Sequence, residues 1–472
     1  MRPDTSDAEL DALQWIADPP ADRAIAALLA GTAPEEAFRR IDALNAVIRG
    51  WQVNRDAERW IPPPGMDTAV ASPIQGYLQQ ATALPPWADT TRLARAERIF
   101  IDHGALSVTM LFCASLPACY VVPDLAAVLH ATGQLEDRAE HRIRATGAMV
   151  FPVMMEGGLT RPEGSGVAQV MKVRLIHATI RHLVLRGDPE AAVAALRAQR
   201  PGAERVAPLA AATPSASMSQ ALYVHGWDLQ ACGLPNNQEE LAYTLLTFSY
   251  VFLRSLRRLG IGLTTQEEED YLHAWNVAGH LLGIRREAMA DTMAGAETLF
   301  ERMQARGRAD AVARPLPVDP RPALAAALVR SMQTVFPDGI AKWFPILLMR
   351  RLLDPASVQD LGLQGAVPWV ARIAFAMVLG TAGAIDAAMR LHFEGFSISR
   401  LLTRAIGYRL TCALLMSQTR ELSVPSVLRP GIRRLIAGWG TDREASPRMN
   451  ALEDRFTTKG EWEALPVAQP DR

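Results

Sequence analysis

Two histidines five residues apart, His177 and His182, lie in VAQVMKVRLIHATIRHLVLR (167–186) and carry the most specific chemistry this chain offers. Apolar residues recur at Val170, Val173, Ile180 and Val184 with helical spacing, and His177 fills the gap in that series. An imidazole held among Val173, Ile180 and Val184 is disfavoured from charging. It therefore keeps a nitrogen lone pair near pH 7, which is what a metal ligand needs. A core histidine satisfied by one hydrogen bond has the same signature, and spacing alone does not separate the two. His182 falls well round the helix among Lys172, Arg174, Arg181 and Arg186, on a side expected to face water or an anion.

A second pair, Arg142 and Thr146, stacks one turn apart on the seam Leu135, Ala139, Arg142, Thr146, Met149, Val153 of a helix predicted from Leu135 to about Met155. An arginine on an apolar stripe needs a partner, whereas Thr146 can simply bond back to its own turn. The loop EGGLTRPEGSG (156–166) leads into the His177 helix; its GSG reads as a turn, although a glycine loop before a helix can also hold a phosphate. His273 and His280, seven apart, are further ligand candidates, and a histidine near a helix C-terminus is often only a cap or a favourable charge. The chain has no Walker lysine loop, GxGxxG after a strand, HExxH, CxxC or GxSxG elbow, so nothing supports nucleotide chemistry or hydrolysis.

These residues must be positioned by helices. The 472 residues carry 49 basic and 50 acidic side chains, a formal net charge of −1, which predicts neither nucleic acid nor an anionic membrane as partner. With 49% apolar and 21% charged residues, the chain can bury a large core or enclose a greasy pocket. Cysteines 113, 119, 232 and 412 have no metal spacing and read as small core residues. The acidic N-terminus lacks an export signal, so a cytoplasmic location is expected. Gly104–Val122 is uncharged but reads as a buried helix ending near Pro117, and Ile373–Ile385 is too short to cross a bilayer, so no stable membrane insertion is expected.

Short helices anchored by Trp15 and Ile16 occupy the first 45 residues. Helices follow from Thr91 and from Pro123, and an Asn cap with Glu240 starts one that runs through Phe252 to Gly260. Thr265 with Glu268 repeats the cap for a helix ending at Gly283. An Ala/Pro/Ser connector spans 207–217. No hairpin chemistry is present, which predicts an all-α fold organised as an N-terminal extension (1–45), a core domain (46–430) and a polar tail (431–472).

KVRLIHATIR (172–181), NNQEELAYTLLTFS (236–249) and EEEDYLHAWNVAGHLLGI (267–284), in that order, resemble the rubber oxygenase catalytic-domain family, which includes the latex clearing proteins and the oxygenase of mycophenolic acid biosynthesis. The resemblance extends to HGALSVTMLFCASLPACY (103–120) and RIRAT (142–146), and more faintly to about residue 430. It implies a globin-like helical core around one b-type haem, with His177 as proximal iron ligand and with Lys172 and Arg174 as partners for the haem propionates. Arg142 and Thr146 match distal residues of latex clearing proteins, but the adjacent lysine of those proteins is Ala145 here. The implied activity is that of a dioxygenase, cleaving an isoprenoid carbon–carbon double bond to carbonyl products. A small terpenoid or lipid is the expected substrate. The alternatives are a haem hydroxylase or peroxygenase-like enzyme, which loss of the lysine would permit, and a haem- or lipid-binding protein without turnover.

Overall fold

The Arg92 helix (Thr90–Asp102) and the His280 helix (Thr265–Leu281) lie along each other in the computed structural model, which describes residues 6–131, 139–209, 217–314, 318–334 and 338–390. Asp270 joins them: its fully buried carboxylate accepts from Arg92 Nε at 2.8 Å and Arg95 Nε at 2.5 Å. The acidic first turn of the His280 helix is thus divided among tasks. Glu267 forms a reciprocal capping box with Thr264, one residue earlier than the expected Thr265 and Glu268. Glu268 instead binds Arg257. Single-residue shifts of a cap are what tertiary partners decide, because several acids in one first turn suit the dipole equally.

Asn237 caps the Gln238–Phe248 helix by accepting from Glu240 N–H at 3.0 Å, as expected. The helix predicted to continue to Gly260 breaks at Ser249, where the backbone turns to φ −96°, ψ −74°, and resumes as Tyr250–Arg258. Ser249 Oγ donates to Leu245 O at 2.9 Å, the local competition for backbone carbonyls that lets serine bend a helix.

The buried helix from Gly104 ends at Cys119, near Pro117 as expected, after passing through the proline. It runs as an α segment (Gly104–Met110), a π turn (Leu111–Ser115) and a final α turn (Leu116–Cys119), nearly all of it buried. Proline clashes with the carbonyl four residues back and offers no N–H; the wider π turn relieves the clash and lets the helix pass through. Cys113 and Cys119 lie here as buried free thiols, with Cys232 elsewhere in the core, as expected. Burial pushes the Cys232 thiol up to about 12.

The fold is all-α; among the described residues the strand pairing is one antiparallel bridge of Arg205–Val206 with Trp227–Asp228. The main apolar core takes Leu10, Ile25 and Leu28 from the N-terminal helices together with Val170, Met171 and Leu175. Trp15 and Ile16, the expected anchors, are only half-buried, and Leu10 and Leu13 fill that role. No single described helix is long and apolar enough to cross a membrane. Residues 135–138, most of the 207–217 connector, Cys412 and the expected tail from 431 lie outside the described residues.

Candidate functional site

The His177 helix (Gly166–Leu185) starts from a loop that is pinned rather than free. Asn54 Nδ2 donates to Gly158 O at 2.9 Å and Arg161 O at 2.8 Å, and its Oδ1 accepts from Ala168 N–H at 3.2 Å. A first-turn amide that a phosphate would need is therefore already bonded, and GSG is the turn it reads as. A Cβ at Gly158 would lie 2.0 Å from Pro152 O, so the chain has no room for another residue there. Glu97 accepts from Gly157 N–H at 2.9 Å, and burial raises its carboxyl to about 7. The helix ends at Arg186 in the left-handed region, φ 52°.

Almost every side chain of this helix is buried except a stripe of Lys172, Val173, Ile176 and His177. The side expected to be wet is the most deeply packed. Arg181 is 0% exposed and binds Asp22 (Nε–Oδ1 2.8 Å) and Asn236 O (3.0 Å), while Arg174 binds Asp18 and Leu281 O. His182 is buried, with Nε2 3.2 Å from Asp22 O. The placement of Arg174, Arg181 and His182 toward solvent is thus corrected, and only the anion-facing part of that expectation holds. The anions are the protein's own, Asp18 and Asp22, one turn apart at the start of the Pro19–Leu29 helix. That spacing was the signal available in the sequence. A periodicity analysis of one helix cannot tell charges meant for water from charges awaiting carboxylates on another.

His177 accordingly sits on the open stripe rather than on a sealed seam. The residue is half-buried, and the protein around it withdraws the ring from water. That burial lowers its pKa to about 4; Arg181, one turn on, acts in the same direction and Asp18 opposes. The imidazole is neutral at pH 7. Among the described histidine side chains, only His177 and His280 make no hydrogen bond, whereas His103, His182, His225 and His273 are each engaged. His273 accepts Asp89 N–H at 3.0 Å, so its Nε2 lone pair is occupied. The His280 ring lies edge-on to Trp87 at 6.0 Å.

Two more polar groups on the same face of the helix lack partners. Gln169, two turns before His177, has a buried Nε2 with no hydrogen bond. Lys172 forms no ion pair among the described residues; burial brings its ammonium down to about 8, with Asp56 opposing. A bare imidazole, an orphaned amide and an unpaired ammonium fit a planar cofactor that takes one histidine and carries carboxylates. Such a group asks for no cluster of ligands, and no group of three His, Cys, Asp or Glu side chains converges among the described residues. Arg174 does not join this set. Its donors are committed to Asp18 and Leu281 O, and Gly283, at φ +86°, packs so closely that a Cβ there would lie 2.7 Å from Asp18 Oδ2 and 2.9 Å from Arg174 Nε.

The Ala139–Met154 helix packs along the His177 helix. Arg142 and Thr146 stand one turn apart on it. Thr146 is half-buried, and the side chains of Arg142 and Ala145 lie outside the described residues.

A family model described as ER-bound oxygenase mpaB/B'/Rubber oxygenase, catalytic domain, matches residues 102–387, more than half of the chain. The rubber oxygenase of Streptomyces sp. (strain K30) is similar at 23% identity over 255 residues, which are 53% of this chain and 51% of that protein. The chain thus spans about half the length of this curated relative. Among solved structures, latex clearing protein LCP in the closed state is similar with a TM-score of 0.60 at 17% identity, over 90% of this chain and 98% of that one, a likeness of fold.

Proposed function

Because this chain belongs to the ER-bound oxygenase mpaB/B'/rubber oxygenase catalytic-domain family, we propose that it is a haem-dependent oxygenase. In this reading it binds one b-type haem through His177 and uses dioxygen to cleave a carbon–carbon double bond of a hydrophobic isoprenoid, giving two carbonyl products. The observation that carries the reading is the open stripe of an otherwise buried helix, whose two edges hold a neutral, unbonded His177 and the unpaired Lys172.

Haem bound here would supply reversible dioxygen binding and the redox chemistry of the cleavage. The protein's part is positional. His177 would hold the iron through an imidazole lone pair, which its low proton affinity keeps free across the physiological range. Lys172 would pair with a propionate, and Val173 and Ile176, the apolar members of the stripe, would give the bound group apolar contacts. Arg142 and Thr146 would act as hydrogen-bond donors that steady negative charge developing on oxygen. No cysteine lies in the His177 helix to act as an axial thiolate, so the electron push that thiolate ligation gives to O–O cleavage is not part of this proposal. Both oxygen atoms then end in product.

Incubation with labelled dioxygen and a short polyisoprenoid, with carbonyls trapped promptly, tests this. Label in both new carbonyl groups is expected. One labelled atom in an uncleaved alcohol or epoxide supports the hydroxylase reading instead, which Ala145 at the position of the relatives' lysine permits.

A further inference from the structure

Exposed apolar surface concentrates on one helix, Trp369–Arg390. Trp369, Ile373 and Met377, at 70%, 48% and 58% exposure, recur every four residues along its outer face with Val370 beside them. The inner face sets Ala371 and Phe375 against the core, the Phe375 ring meeting Phe344 at 5.6 Å. The helix is therefore apolar on both faces, which a helix bordered by water does not require. From residue 361 to 385 the chain has one charged side chain, Arg372, and no acid.

Arg372 stands exposed on this helix, and Arg350 reaches the turn that leads into it. Burial, and then Arg372, holds the Arg350 guanidinium below its usual range; burial does the most for Arg258 as well, with Arg254 and Arg351 acting with it and Asp354 against it. Arg350 donates to Leu363 O at 2.6 Å and to Gly365 O, and Arg258 donates to Leu352 O. These are carbonyl partners, which satisfy hydrogen bonds without cancelling charge. Arg254 makes no hydrogen bond among the described residues; its guanidinium rests on the rings of Tyr250 and Phe300, 5.4 and 5.2 Å from their centroids. It lines a cavity of about 300 Å³ with Arg257 and Arg258. Of the acids nearby, Glu268 pairs with Arg257, and Asp354 and Asp360 with Arg308, while Glu297 lines the same cavity and accepts from the neutral Tyr250 Oη, so its charge offsets part of that of Arg254, Arg257 and Arg258.

We propose that the outer face of the Trp369 helix, with Arg350 and Arg372 beside it, forms a docking face for a lipid surface that carries acidic phospholipids. Trp369, Ile373 and Met377 enter the interfacial layer, where an indole and aliphatic side chains are favoured, and the arginines meet the phosphates. The chain-wide balance of charge pointed away from anionic membranes; it is an average, and the basic residues here are segregated from the acids that cancel them in the total. The proposal is independent of haem binding.

The test is co-sedimentation of the full chain with vesicles of phosphatidylcholine alone and of phosphatidylcholine and phosphatidylserine in equal parts. Binding to the mixed vesicles, weakened by salt and much smaller on phosphatidylcholine, is expected. Ile373→Glu and Arg372→Glu should each weaken partitioning about tenfold at unchanged melting temperature, and Val312→Glu, at another exposed apolar site, should leave it unchanged. Failure of the wild type to bind mixed vesicles overturns the proposal, as does undiminished binding by Ile373→Glu. So does an Ile373→Glu protein that melts several degrees lower or changes from dimer to monomer, because the face is then covered by residues 391–472 or by a second copy.

Discussion

Arg174 and Asp18 meet through two parallel hydrogen bonds, Nε to Oδ2 at 2.5 Å and Nη2 to Oδ1 at 2.7 Å, with both side chains less than a tenth exposed. The Tyr77 ring lies 5.7 Å from the guanidinium carbon, and Gly283 closes over the carboxylate. The pair fixes the azimuth of the His177 helix, since it holds the side of that helix opposite the open stripe.

Removing one partner leaves a buried charge. Asp18→Ala should cost about 3–5 kcal/mol, and the apolar double replacement Asp18→Leu with Arg174→Met should recover most of that loss. Denaturant unfolding of the single and double variants measures it; additive losses would show that the two residues do not act as a pair.

His177→Ala should retain little haem, read as the absorbance ratio of haem to protein, while His280→Ala and His182→Ala keep about one haem per chain. His182→Ala should unfold more easily, because its imidazole is buried against Asp22 O. Stoichiometric haem with an unchanged spectrum in His177→Ala would refute the ligand assignment.

Arg142→Ala should keep its haem and lose turnover, on the order of a hundredfold, as expected for a donor to developing negative charge. If haem content falls in step with turnover, Arg142 holds a propionate instead.

Acid sensitivity follows from His182, whose pKa burial lowers from 6.5 to about 4. As pH falls, the unfolded chain takes up this proton first. The stability gained by keeping the ring neutral is therefore complete above pH 6.5 and drains away between 6.5 and 4, on the order of 2 kcal/mol by pH 5. Glu97, raised to about 7, runs the other way: its contribution is lost as pH rises from 4.5 to 7. A comparison at two pH values isolates the histidine. The stability advantage of wild type over His182→Gln should narrow by that amount between pH 7 and pH 5, and a constant gap would contradict it.

The helical class and several caps were legible in the sequence because their determinants are local: Asn237 with Glu240, acids in a first turn, and a histidine in an apolar series. His177 stood out for the same reason. Its true surroundings did not, because the packed side of its helix is decided by Asp18 and Asp22, some 155 to 160 residues earlier in the chain. The passage of a helix through Pro117 was hidden for a related reason: the π turn that allows it has no composition of its own.

The reach of Asp18 and Asp22 also bears on how this protein can be dissected. The family match begins at residue 102, but a fragment cut there would leave Arg174 and Arg181 as naked cations facing the void left by the Pro19–Leu29 helix. The boundary at which a sequence stops looking like its relatives is not the boundary of the cooperative folding unit. Excision at the former should give an aggregating chain, whereas the missing segment supplied as a separate polypeptide could restore the fold by complementation, docking through four charges and the apolar side chains between them.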